Sequence, residues 1–336
     1  MDVLIFIIII MILAFWKSKI NIKKDEQLQL DETLSVRGIL GIIILFDHIG
    51  LNLNNVGILK PFTMVGYLCV SLFFLFSSYG LTKAVLSKQD YLNKFVFKKI
   101  IPIVVTSGIV FILYKSFFGR NIMYSWYIYV IICLYVVWYL CFRFLSPKRA
   151  IIVLNVCILI CQIMCFILGV PVVWYRAILS FGLGAVWALY SNSIFQFITK
   201  NFKLKLSVCM LLFTGCFLMA SLSDKIVFGD LQKIVETVCY ILASSFGAIL
   251  YIIFSAKVQF VSRNLKWLGK ISFEIYIFQG FCFLCLKPLL DVKEILFVIC
   301  SFITTIVGAK IINLFSRQMF KFFANKILRI KIENKT

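Results

Sequence analysis

Along this chain, unbroken apolar runs alternate with short polar connections, and neither the strict alternation of a half-buried strand nor the narrow apolar stripe of a soluble helix recurs. Eleven runs stand out, at 3–16, 38–56, 62–82, 100–118, 122–142, 150–168, 171–190, 205–222, 235–255, 272–290 and 295–315. Most match the roughly 20 residues that a helix needs to cross a hydrocarbon core of about 30 Å. Lipid offers no partner for a free backbone amide, so each run is expected to be a helix. The predicted fold is all-α, a polytopic transmembrane bundle of 10–11 helices.

Composition supports this pattern, since 62% hydrophobic and 15% charged residues leave too little polar surface to coat a soluble protein of 336 residues. The formal net charge of +21 would suggest nucleic acid if the chain were soluble. Here the Lys and Arg residues lie between apolar runs, so no nucleic-acid partner is expected and the charges report orientation. Connections 17–37, 83–99, 143–149, 200–205, 257–270 and 317–336 carry 26 basic residues and the opposite set carries seven. That asymmetry predicts an external amino terminus, a cytoplasmic carboxyl terminus and a multi-pass protein of the cell membrane, surrounded by membrane lipids. The first run has no basic residue before it and no small-residue cleavage site after it, and Lys17, Lys19, Lys23 and Lys24 follow, as in an uncleaved anchor. The chain then divides into an anchor helix and loop (1–32), a membrane domain (33–316) and a basic amphipathic tail on the inner leaflet (317–336). All twelve cysteines fall within apolar runs, and the Cys282–Cys285 pair has neither a second pair nor a nearby His, so no metal site is expected.

Ionisable groups inside a membrane are costly and become functional candidates for that reason. His48 is the only histidine in the chain and shares the second run with Asp47, eleven positions after Arg37. Eleven helical steps of about 100° bring His48 back to the Arg37 face, about 16 Å further along, which places it near mid-bilayer if Arg37 marks the cytoplasmic edge. One groove could present both. A neutral imidazole there can take a proton from a hydroxyl or carry an acyl group itself, and a structural histidine bonded to a carbonyl is the alternative. Asp47 is turned about 100° away and could line the same cavity. Arg176 either snorkels to the outer headgroups or binds an anionic acceptor, and its position along the chain sets it in the opposite half of the membrane from Glu274. Trp126 and Tyr127 fit an interfacial aromatic belt as well as a substrate platform.

Five segments, in order, resemble the acyltransferase 3 family of membrane acyltransferases. "VRGILGIIILFDHIG" carries the Arg, ten residues and His that mark that family. "VSLFFLFSSYGL" resembles its Phe-rich segment, "FVFKKIIP" its basic run before a proline, "SWYIYVIICLYV" its Trp-aromatic helix start, and "LGKISFEIYIFQG" its late motif around Gly, Ser, Tyr and His. The resemblance covers roughly 33–316. It departs where Ser77 and Ser78 replace Ser-Gly, where Lys98 and Lys99 replace arginines, and where Gln279 replaces a second His, removing a titratable group.

The resemblance implies transfer of an acyl group, in the first instance acetyl, from cytoplasmic acyl-CoA (acetyl-CoA) to a hydroxyl of an extracytoplasmic or lipid-linked glycan. Acyl-CoA would be a co-substrate, with no bound cofactor. Beside the resemblance, the reading of the residues points to His48 as base or transient acyl carrier and to Arg37 positioning the donor or the imidazole, with substrate contacts expected from Asp47, Lys98, Lys99, Trp126, Arg176, Glu274, Tyr276 and Gln279. A secondary transporter of a small or glycan-related solute is the rival reading, and it predicts inverted repeats that are not evident here.

Overall fold

The structure, a computed structural model, describes residues 3–22, 28–226, 229–290 and 293–333. Apolar runs that must satisfy their own backbone become helices α1 (Val3–Phe15), α2 (Leu30–Gly50), α3 (Lys60–Ser87), α4 (Ile101–Phe118), α5 (Trp126–Phe144), α6 (Pro147–Ile167) and α7 (Leu179–Leu189). These are followed by α8 (Ser191–Thr199), α9 (Phe202–Ile226), α10 (Asp230–Ser255), α11 (Arg263–Lys270), α12 (Ser272–Leu286) and α13 (Glu294–Glu333). Ten spans among the described residues are long and apolar enough to cross a membrane. Large apolar side chains such as Ile152, Ile163, Ile167 and Leu211 point outward from them. The chain is thus a multi-pass membrane protein.

The first run becomes α1, whose 13 residues span about 20 Å and fall short of a full hydrocarbon core. It runs antiparallel to α2. Phe6 meets Phe46 and Phe302 at 6.4 and 5.5 Å, whereas at the other end the Ala14 carbonyl accepts a hydrogen bond from Ser262, whose own N–H is bonded to Ser35.

Two boundaries differ from the sequence reading in ways that matter. α2 covers Leu30–Gly50, not 38–56. Asp31 and Glu32 occupy its first turn, where carboxylates favour a helix amino terminus, and Glu32 and Ser35 are buried by neighbouring elements. His48 therefore lies in the last turn of α2 and not midway along a span. The tail is no separate element either, because α13 continues without interruption from Glu294 to Glu333. Lys23, Lys24 and the tail side chains beyond Phe322 lie outside the described residues. One addition is a small antiparallel ladder of β1 (Lys19–Ile22) and β2 (Val258–Val261), with Ile20 opposite Phe260, which ties the segment after α1 to the one before α11.

α2 is the most enclosed span of the bundle, and on it and the neighbouring α3 Leu45, Phe46, Phe74 and Leu75 are fully buried. Next to them α11 crosses α2 at backbone contact. A Cβ on Gly38 would lie 2.1 Å from the Leu265 carbonyl oxygen, and one on Gly269 would lie 1.9 Å from that of Leu34. Only glycine permits that crossing. Because α12 follows directly from α11, the crossing sets the height of α12 against α2.

Candidate active site

The two helices run parallel in register. A Cβ on Gly41 would meet Ser272, and seven residues further along each helix His48 meets Gln279. Near the start of α2, Arg37 donates to the Ser272 hydroxyl at 3.1 Å and lies over the Phe73 ring at 5.6 Å, with its Nε buried and unpartnered.

His48 is buried, and its ring is held on three sides. Gln279 Nε2 lies 2.6 Å from Nδ1 and donates to the Tyr276 carbonyl at 3.0 Å, while its Oε1 is buried without a partner. A half-turn of this amide exchanges donor for acceptor, so it can serve Nδ1 with or without a proton there. Nε2 has no protein hydrogen bond among the described residues and is the ring atom left for chemistry. Tyr124 stacks on the imidazole with centroids 3.8 Å apart and planes 5° from parallel.

Tyr124 sits on the short connection between α4 and α5 with φ of 58°, a left-handed conformation unusual for a bulky residue. Tertiary contacts hold it there. Asn52 donates both to the Tyr124 hydroxyl at 3.1 Å and to the His48 carbonyl at 2.7 Å, and the Tyr276 hydroxyl donates to the Tyr124 carbonyl at 2.8 Å. Burial pushes the Tyr124 phenol above its ordinary range, so it stays protonated at neutral pH.

Three cavities lie in series along the α2 face that carries Arg37, Ile44 and His48. The first, about 1010 Å³, is a vestibule on the side where α2 begins, and Arg37, Lys83, Lys88 and Lys99 line it with no carboxylate among the described residues of its walls. It shares Arg37, Ser77 and Tyr135 with a middle chamber of about 210 Å³, which Ser272 and Glu274 also line. That chamber shares Ile44, Val70 and Tyr276 with a third of about 400 Å³, which holds His48, Asp47, Trp126 and Arg176. In place of the single groove expected for Arg37 and His48 there is a row of three neighbouring compartments that share wall residues.

The other expected residues distribute along it. Tyr276 borders the middle and third chambers, and Glu274, bonded by Asn313 at 2.7 Å, faces the middle one, separate from Arg176. Gln279 touches the histidine and lines none of the three cavities. Lys99 reaches the vestibule, but Lys98 does not line it. The two sit in a π-helical turn, Val96–Ile100, just before Pro102, whose missing N–H and bulky ring disturb the regular helical ladder and rotate successive side chains. Tyr124, Ser272, Lys83 and Lys88 were not anticipated as site residues. Ser272 lies within the late motif and the two lysines within a basic connection, but nothing local marks Tyr124.

Chemically, the row of compartments pairs a polycationic mouth with a histidine at its far end. Searches of curated proteins and of solved structures return no match. The family model Acyl_transf_3, described as an acyltransferase domain, matches residues 35–314, so it takes in Arg37, His48, Gln279 and most of every chamber wall. The chain belongs to this family of membrane acyltransferases.

Proposed function

We propose that this protein moves a short acyl group, acetyl in the simplest case, from acyl-CoA to a hydroxyl of an extracytoplasmic or lipid-linked glycan, across the cell membrane. The observation that carries this reading is the succession of neighbouring cavities, sharing wall residues, from a cation-lined vestibule to His48. The excess of Lys and Arg in the connections on the vestibule side favours a cytoplasmic mouth, where coenzyme A is found. Arg37, Lys83, Lys88 and Lys99 would hold the donor's phosphates, and aromatic residues at the vestibule, such as Tyr79 and Tyr190, offer faces for its base. The middle chamber, about 210 Å³, would take the pantetheine arm between Arg37 and His48, which lie about 16 Å apart along α2.

At the far end His48 acts as general base. Nε2 takes the proton of the acceptor hydroxyl as that oxygen attacks the thioester carbonyl, the C–S bond breaks, and the proton passes from the ring to the departing thiolate. The base form is the tautomer with hydrogen on Nδ1, to which Gln279 presents its carbonyl before and throughout this step, and the stacked face of Tyr124 lies against the imidazolium that forms. A transporter would leave the aligned His48–Gln279 pair and the unpartnered Nε2 without a task.

The vestibule assignment is tested with Lys83→Ala and Lys88→Ala combined. Losing two phosphate partners is expected to raise KM for acetyl-CoA about tenfold with kcat nearly unchanged, and the difference should shrink in high salt, where the wild type also loses electrostatic attraction. An unchanged KM would remove the vestibule as the donor site.

A further inference from the structure

Asp47 and Arg176 both face the third chamber, one from α2 and one from the segment before α7. The guanidinium lies against two touching aromatic rings, 4.7 Å from the Tyr67 centroid and 5.0 Å from that of Tyr240. Gly66 makes room for the carboxylate, since a Cβ there would lie 1.8 Å from Asp47 Oδ2. The two charges act on each other through space but form no ion pair within 4.0 Å. Among the described residues neither side chain makes a hydrogen bond, and Arg176 Nε is buried without a partner.

Guanidinium donors and carboxylate acceptors therefore open onto one space at membrane depth, where polar groups are normally matched. Tyr124, Trp126 and Tyr276 supply the rest of the polar-edged aromatic wall. The two formal charges cancel. A ligand with its own negative charge would gain Arg176 but be repelled by Asp47, whereas a neutral ligand that both donates and accepts hydrogen bonds suits both. Hydroxyls on adjacent carbons of a sugar ring do this, and the ring's C–H faces suit aromatic walls.

We infer that the third chamber binds a neutral sugar ring, with Asp47 accepting from one hydroxyl and Arg176 donating to its neighbour, and that this pair selects against anionic sugars. The inference rests on reading this chamber as the acceptor site, and it differs from the anionic acceptor that Arg176 alone suggests.

The test uses the full-length protein in lipid nanodiscs without any acyl donor. Saturation-transfer NMR compares p-nitrophenyl β-glucoside with p-nitrophenyl β-glucuronide, which differ in the carboxylate. The glucoside is expected to bind at least about tenfold more tightly, and Arg176→Ala to weaken it by about tenfold. Asp47→Asn keeps the shape, guards against misfolding, and removes the repulsion, so it should move the preference toward the glucuronide. A wild-type preference for the glucuronide, an unchanged ratio in Asp47→Asn, or no binding of either probe would overturn the inference. If the sugars bind as stated but no acyl transfer follows when acetyl-CoA is added, the inference holds and the acyl-transfer reading fails.

Discussion

Replacing His48 with glutamine is expected to abolish acyl transfer while leaving the protein inserted and folded. Glutamine can still exchange a hydrogen bond with Gln279 across the 2.6 Å contact that His48 makes, and it fills much of the space beneath Tyr124. It cannot take a proton from a hydroxyl. Loss of a general base costs roughly a hundredfold to ten-thousandfold in rate, and the loss should fall on kcat with KM for acetyl-CoA preserved, because the proposed phosphate site at the vestibule is some 16 Å away. Substantial activity in His48→Gln would show that the ring has a packing role only. No other histidine is present to substitute for it.

The second large effect concerns a residue that touches no substrate. Gly38→Ala places a methyl group 2.1 Å from the Leu265 carbonyl oxygen, a backbone atom that cannot turn aside, so α2 and α11 must separate. Overpacking of this kind costs about 1–3 kcal/mol. Separation also carries α12 away from α2, because α12 begins two residues after α11 ends. The contacts that align the site, Arg37 with Ser272 and His48 with Gln279, both bridge that gap. Gly38→Ala is therefore expected to lower the thermal midpoint by several degrees and to reduce kcat at temperatures where the protein is still folded. Gly108→Ala, at a position where an added Cβ meets nothing within 4 Å, is the control and should change neither. Equal behaviour of the two variants would refute the account of the α2–α11 crossing.

Much of this was readable from residue order because helical geometry is local. The spacing from Arg37 to His48 puts them on one face whatever surrounds them, and the structure places Ile44 between them on that same face. Where α2 begins was less readable. Asp31, Glu32 and Thr33 look like loop, and burial of Glu32 by tertiary packing makes them a first helical turn. The place of His48 along α2 was less readable for the same reason, since moving the helix eight residues earlier moves its end as well. The partners of His48 were beyond sequence reasoning. Tyr124 and Gln279 are 76 and 231 positions away, and only the folded bundle brings them to one ring. The relation of Asp47 to Arg176 depends likewise on how α2, α3 and α10 surround the segment before α7, which no local pattern encodes.

The central claim is that the donor is received at one membrane face and the acyl group is delivered at the other through the Arg37–His48 passage. It is tested most directly in proteoliposomes that hold the protein in one orientation, with radiolabelled acetyl-CoA confined to one side and a p-nitrophenyl glucoside acceptor to the other. Labelled acceptor should form only when acetyl-CoA is on the side of Lys83 and Lys88, and His48→Gln should abolish it. Equal labelling with acetyl-CoA on either side, or labelling only when donor and acceptor share a compartment, would contradict the account.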